Sequence, residues 1–429
     1  MLTMAPPETA ARSLLTGSTT YLISNILRAS IPFALLPVLT RCLGPTQYGQ
    51  IAMFQTLVAA LAAVVGLSTH GSASRKFYDP NITQDAMGHF VGACLQILAA
   101  TCVFVFIVVF LFRKSLAGWL GLTVPWTLLA VVVTAGAFVV TTRLGQWQVR
   151  GQAIKYGVMQ VAQSFADMAL SLMLVVVLAQ GAAGRINAQA CVVVLSALLA
   201  LYLLAKDHLL TCSWRPLYLR EALLFGVPLI PHVAGTFLLN AADRLVINSE
   251  LGLAQAGIYM TAVQLSMAMA IVFDAINKAY VPWLFERLKR DQPEEKKQIV
   301  RWTYRYFGLA LAIAVSAFFV GPYAITLIAG EQYIEAGKVI GLLALGQAFG
   351  GMYLMVTNYI FYSKRTGLLS IATLCSALIN IALLLLLVNK FGTLGAAWAF
   401  MLSMAIRFVL TWVIAQKHHH MPWFPSCST

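Results

Sequence analysis

GHFVGACLQILAATCVFVFIVVFLF, residues 88–112, runs for 25 residues without an Asp, Glu, Lys or Arg. As a helix rising 1.5 Å per residue it reaches about 37 Å, more than the roughly 30 Å of a bilayer's hydrocarbon core. Working outward, runs of the same kind recur from Thr19 to the end of the chain. Between polar punctuation they read as Thr19–Thr40, Tyr48–Thr69, Gly88–Phe112, Pro125–Thr142, Tyr156–Ala179 and Ala188–Ala205 in the first half. Ala222–Ile247, Gly257–Trp283, Tyr306–Ile328, Ala336–Tyr362, Gly367–Val388 and Thr393–Ala415 complete the set. The expected fold is all-α and polytopic, with about twelve spans.

Composition excludes the soluble alternative. Hydrophobic residues make up 60% of the 429 and charged ones only 10%, with mean hydropathy +0.80, whereas soluble domains carry about 25% charged residues. A net charge of +14 would suggest nucleic acid in a soluble chain, but here the cations sit in short loops between apolar runs, where membrane topology accounts for them. With the N-terminus cytoplasmic, nineteen Lys and Arg fall on the inside, six on the outside and four within spans. That asymmetry expects both termini in the cytoplasm. The first eighteen residues lack a basic start followed at once by an apolar stretch, so the first span is expected to act as its own insertion signal.

An internal repeat pairs the spans. Leu43, Gly44, Gln47 and Gly49 match Leu251, Gly252, Gln255 and Gly257 at an offset of 208, and Gly181 and Gly184 match Gly392 and Gly395 at an offset of 211. Two six-span lobes in the same orientation follow, residues 19–205 and 222–415. A linker at 206–221 joins them, and cytoplasmic ends at 1–18 and 416–429 flank them. Parallel repeats of this kind are a transporter architecture.

Ionisable residues inside spans are costly and mark function or pairing. The four cations Arg28, Arg244, Lys278 and Arg407 are the candidates to line a substrate cavity; the acids are Asp167, Asp243 and Asp274. Asp274 and Lys278, four apart, share a helical face and can neutralise each other. Arg28 and Arg407 have no acid three or four positions away, and Asp243 and Arg244 point about 100° apart. Such uncompensated positive charge calls for an anionic cargo. Asp167 reads either as a proton or cation site or as part of an interhelical network. Asn25, His70, Asn240, Gln264 and Asn380 add polar capacity. Pro32 and Pro37 in the first span, and Pro228 and Pro231 in the seventh, are expected to break the helical ladder at related positions. Glu286–Phe307, mixed in charge and rich in aromatics, reads as a helix lying on the membrane surface.

No enzyme signature is present: HExxH, P-loop, GxSxG and paired-cysteine metal spacings are all absent. The seven cysteines are scattered, and His418–His420 reads as a polar tail. No metal or cofactor is expected. Asn81-Ile-Thr83 fits a glycosylation triplet but falls on the cytoplasmic side.

Residues Leu35–Thr56, Phe225–Leu265, Asn277–Leu288 and Phe391–Phe400 resemble the bacterial polysaccharide translocases, the O-antigen and capsule flippases. These belong to the multidrug, oligosaccharidyl-lipid and polysaccharide exporter superfamily. The resemblance implies two six-helix lobes around a central cationic cavity in the bacterial inner membrane. It implies as cargo an undecaprenyl-diphosphate-linked oligosaccharide that passes to the periplasmic leaflet, its lipid tail remaining among membrane lipids. It further implies coupling to a proton or sodium gradient, through Asp167 or Asp274 before Asp243, and partners among polysaccharide polymerase and export proteins. Asp243 and Arg244 match the family's acidic-basic pair in span seven, and Arg28 its basic first span. Two other functions compete: a drug or small-cation antiporter of the same superfamily, which should have a more acidic cavity, and a membrane glycosyltransferase or polymerase, which should have a large periplasmic loop.

Overall fold

A computed structural model describes residues 7–80, 82–211, 213–363 and 367–423, with side-chain surroundings from Ile23 onward except at 367, 368 and 370. All of the expected N-terminal segment's side chains, Asn81 of the glycosylation-like triplet and the end of the C-terminal tail therefore lie outside it. Among the described residues there is helix and no strand.

The chain forms α1 (Pro7–Cys42), α2 (Pro45–Leu61), α3 (Thr69–Lys76), α4 (Gln84–Leu111), α5 (Arg113–Leu120), α6 (Val124–Val149), α7 (Ala153–Leu172) and α8 (Gly181–Lys206). There follow α9 (Pro216–Gly226), α10 (Ile230–Asn240), α11 (Ala242–Leu251), α12 (Leu253–Arg290), α13 (Pro293–Ala329), α14 (Gly337–Tyr362) and α15 (Gly367–His418). Ten helical segments are long and apolar enough to cross a membrane, and the pair α2 and α3, bent by 60°, makes an eleventh. At 52 residues α15 would extend about 78 Å, too long for one crossing. Its backbone leaves helical geometry at Gly392, φ 60° and ψ −138°, which divides it into two spans and gives twelve. Large side chains such as Phe104, Leu111, Phe319 and Leu327 are more than 60% exposed. A protein in water would not tolerate so much of this; one in lipid requires it.

The polypeptide divides into two compact units, Met1–Leu35 with Met53–Ala234, and Leu36–Ala52 with Gly235–Thr429. In the first unit, α6 lies at the core: Val131, Phe138, Leu144 and Trp147 pack with Val105 and Val109 of α4 and Ala197 and Ala200 of α8. In the second, α14 is the most buried element, with Val356 and Ile360 fully enclosed.

The repeat has a structural cause at both places. In the second unit a Cβ on Gly49 would lie 2.0 Å from the Leu253 carbonyl oxygen, and a Cβ on Gly257 would lie 2.0 Å from that of Pro45. The two copies of the motif therefore pack backbone to backbone, a contact only glycine permits. Gly181 and Gly392, matched at the offset of 211, both take left-handed φ, 62° and 60°. Three residues on, Gly184 abuts the Leu174 backbone and Gly395 that of Leu387, so each copy closes a tight helical hairpin.

Three expectations are corrected. Glu286–Phe307 forms no surface-lying helix: α12 continues to Arg290, Asp291 turns with φ 52°, and α13 begins at Pro293. Its carboxylates are instead paired along the two helices, Glu286 and Glu295 with Arg290, Asp291 with Lys296, Glu294 with Lys297. Pro32 and Pro37 leave α1 a single helix, while Pro228 sits in a 3-10 turn, Val227–Leu229, that interrupts span seven. Only the second lobe's prolines coincide with a break. Finally, α6 and α8 extend beyond the runs read from the sequence and carry Arg143 and Arg185 inside the helices.

Candidate functional site

Span seven is interrupted again where α10 gives way to α11, at Ala241 with φ −141° and ψ −18°. The break strands backbone groups that must find partners in a medium without water. The Asn380 amide of α15 donates to the Leu238 carbonyl at 3.0 Å, and its own oxygen accepts from Ser403 Oγ at 3.2 Å. Asn380 is thus fully enclosed and consumed inside the protein, which corrects its expected place in the polar cavity. Asn240 donates to the Thr236 carbonyl at 2.8 Å, on its own helix.

Asp243 and Arg244 open α11, and both are buried. The Asp243 carboxylate accepts from the Arg244 backbone N–H at 2.9 Å, which holds it at the positive end of the helix. It also lines a cavity of about 30 Å³ with Asn240, Ser266 and Gln347, room for about one water molecule or bare cation. The buried Tyr259 hydroxyl donates to the Asp243 carboxylate. The Arg244 side chain forms no ion pair among the described residues, and its Nε is enclosed without a partner.

Arg407, also in the second unit, sits over the Tyr353 ring at 3.9 Å and reaches Thr373 Oγ1 at 3.5 Å; its Nε too is enclosed and unpartnered. Lys278 behaves otherwise: it pairs with Asp274 at 2.6 Å, both half-exposed. Gln264 accepts from the Tyr48 hydroxyl at 2.6 Å. The structure therefore gathers Asn240 and Asp243 in one cavity wall, and leaves Lys278, Asp274 and Asn380 outside it.

In the first unit Arg28 is exposed on α1 with no ion-pair partner among the described residues, and Asn25 is half-buried one turn earlier. His70 lies just past the three left-handed residues Gly66, Leu67 and Ser68 that bend span two, edge-on to Phe138 at 5.4 Å. Asp167 has a cation partner: Arg185 reaches it at 2.7 Å and Ser171 at 2.8 Å, which ties α7 to α8. Of the two readings open for Asp167, the interhelical network is the one the geometry supplies.

Two charged centres escape a linear reading. Arg143, fully buried, pairs with Asp207 and lies 4.3 Å over the Trp147 ring. The other is a cavity of about 530 Å³ at the ends of α3 and α9, lined by Arg75, Lys76, Asp79 and Glu221. Lys76 bridges Asp79 at 2.8 Å and Glu221 at 2.7 Å. The signal for Arg143 lay in Leu144, Gln146 and Trp147, which continue the helix past the charge.

Residues 14–288, well over half the chain, match the family model described as polysaccharide biosynthesis protein. The chain belongs to that family. A curated relative, the probable low-salt glycan biosynthesis flippase Agl15 of Haloferax volcanii, is 19% identical over 90% of this chain and 80% of its own. Among solved structures, the lipid II flippase MurJ in an inward closed conformation superposes with TM-score 0.74 at 12% identity, over 94% of this chain and 87% of its own. A multidrug resistance MATE family transporter of the MOP superfamily, inward-facing, gives TM-score 0.68 at 16% identity, over 91% and 97%. At these identities the structures establish the fold that the polysaccharide biosynthesis family member shares with them. It is a multi-pass membrane protein.

Proposed function

We propose that the protein flips an undecaprenyl-diphosphate-linked oligosaccharide from the cytoplasmic to the periplasmic leaflet of the bacterial inner membrane during surface polysaccharide assembly. The observation that carries this reading is the state of the span arginines. Arg28, Arg244 and Arg407 lack a carboxylate partner among the described residues, whereas Arg185, Arg143 and Lys278 each have one. A cation held in a membrane protein without a counter-charge is costly, and an anionic cargo supplies what the protein withholds. A diphosphate fits guanidinium donors in both charge and shape. The multidrug alternative would need several spare acidic groups, but Asp167 and Asp274 are both occupied, which leaves Asp243 alone among the three span acids.

In this reading the lobes 19–205 and 222–415 alternate access, and both termini are cytoplasmic. The 3-10 turn at Val227–Leu229 and the break at Ala241 give span seven its flexible points. Asp243, beside a cavity of about 30 Å³ and without a side-chain cation bound to it, is the group that takes up a proton or sodium ion.

Arg28→Ala and Arg244→Ala are expected to abolish surface polysaccharide while membrane abundance stays at the wild-type level, read by glycan blotting and quantitative immunoblotting of the same cells. Unchanged surface glycan in both variants refutes the diphosphate reading. Purified protein in liposomes, supplied with a fluorescent polyprenyl-diphosphate oligosaccharide, should protect the label from an external reagent only when both arginines are present.

A further inference from the structure

The hairpin of α12 and α13 encloses a second cavity, of about 510 Å³, that the flippase reading leaves unused. Tyr280, Trp283, Trp302 and Tyr306 form its walls, with Arg287 as its cation. Four aromatic side chains in one cavity offer flat apolar surface, and rings of this type concentrate where a bilayer's hydrocarbon meets its headgroups.

Arg287 is fixed and unsatisfied. Its guanidinium stacks on the Trp283 ring at 4.0 Å. Its Nε and Nη1 are shut off from solvent and have no partner, and the Tyr306 hydroxyl in the same cavity is likewise enclosed and unpartnered. Nor can the hairpin's own acids reach it. Glu286 and Glu295 are held by Arg290, Asp291 by Lys296 and Glu294 by Lys297, which accounts for every carboxylate between residues 286 and 297. A surface arginine in water would simply be hydrated. One pinned to an indole among four aromatics forgoes most of that hydration, so it is poised for a desolvated anion.

We propose that this cavity binds the phosphate-bearing headgroup of a membrane lipid, with Arg287 on the phosphate and the aromatic walls against the glycerol or first carbons of the chain. The chemistry is shared by two sources, a bulk anionic phospholipid and the diphosphate of a polyprenyl carrier. The inference does not rest on the flippase reading: it asks only that the hairpin stand in a bilayer.

The test is native mass spectrometry of the full-length protein in detergent with three probes: phosphatidylglycerol, undecaprenyl diphosphate, and diacylglycerol, which has the tails without the phosphate. Wild type should retain at least one of the two phosphate lipids and shed diacylglycerol. Arg287→Gln should lower that retention about tenfold, the scale of one charge-assisted contact, while Lys289→Gln, at an exposed cation two residues on, leaves it intact. Loss of phosphatidylglycerol alone identifies a bulk-lipid site, and loss of the diphosphate alone identifies a cargo site. Equal retention by wild type and Arg287→Gln overturns the proposal, as does diacylglycerol binding as tightly as the phosphate lipids. Hydrogen exchange on the wild type needs no substitution: phosphatidylglycerol or undecaprenyl diphosphate should slow exchange across residues 276–306 where diacylglycerol does not. A uniform response to all three probes overturns it equally. Because Arg28→Ala should lose transport and keep phosphatidylglycerol, failure of one reading is distinguishable from failure of the other.

Discussion

Two charged centres inside spans use the same residue types and reach opposite states. In the first unit Arg185 meets Asp167 and Ser171 across the α7 and α8 hairpin, both charged side chains mostly buried and the donors matched to acceptors. In the second unit Arg244 stands immediately beside Asp243, yet the acid turns to the backbone N–H of α11 and the guanidinium keeps an enclosed Nε without a partner. Adjacency in sequence does not make an ion pair, because successive residues on a helix point about 100° apart. Separation by eighteen residues does, once a glycine with φ 62° folds the chain back. A closed pair holds helices together; an open cation waits for a ligand.

Breaking the closed centre should have the largest effect on stability. Arg185→Ala leaves the Asp167 carboxylate uncompensated between helices, and a loss of about 3 kcal/mol is expected, seen as lower membrane abundance and a lower melting temperature in detergent. The double variant Asp167→Asn with Arg185→Gln removes both charges and should recover most of it. If the single variant is as stable as wild type, pairing is not what distinguishes the two centres.

The open centre should respond in the reverse sense. Arg244→Ala removes a cation that has no ion-pair partner among the described residues, so folded protein should persist at wild-type abundance while transport falls to background. A collapse in abundance matching that of Arg185→Ala would show Arg244 to be structural after all. Between these extremes lies Asn380→Leu. It strips the Leu238 carbonyl and Ser403 of their partners at the break in span seven, for an expected cost of about 1–3 kcal/mol, measured as a melting shift with surface glycan reduced only in proportion to abundance.

What could be read from the sequence and what could not follow the same division. Uninterrupted apolar runs such as residues 88–112 disclose the spans, because crossing a bilayer is a demand on consecutive residues. The glycine repeat was visible too, since Gly49 and Gly257 each meet backbone where no Cβ fits. Arg143 and Arg185 read as loop residues because a run of apolar residues ends at its first charge, yet the helices pass that point, where Asp207 and Asp167, elsewhere in the chain, neutralise them. The break at Ala241 carries no proline or glycine, and its stranded carbonyl is captured by Asn380, 142 residues away. The charges of Glu286–Phe307 give an amphipathic pattern, but its four carboxylates are held by lysines and an arginine at the ends of two long helices.

Lys278 offers the finest test of the distinction, because it was read as a cavity cation and the structure pairs it with Asp274 four residues earlier. Both side chains are about half-exposed, 52% and 48%, so this pair differs from the buried one of Arg185. Exposed pairs at this spacing contribute only about 0.3–0.5 kcal/mol, and Lys278→Ala should therefore leave the melting temperature within a degree or so of wild type. If compensation alone decides which cations serve the cargo, surface glycan should also stay near its wild-type level, in contrast to Arg28→Ala and Arg244→Ala. A transport defect in Lys278→Ala with full abundance would mean that Asp274 gives up its lysine when cargo arrives. Asp274→Asn separates the two cases: freeing Lys278 should leave transport unchanged if the pair is only structural, and should alter it if the lysine exchanges partners.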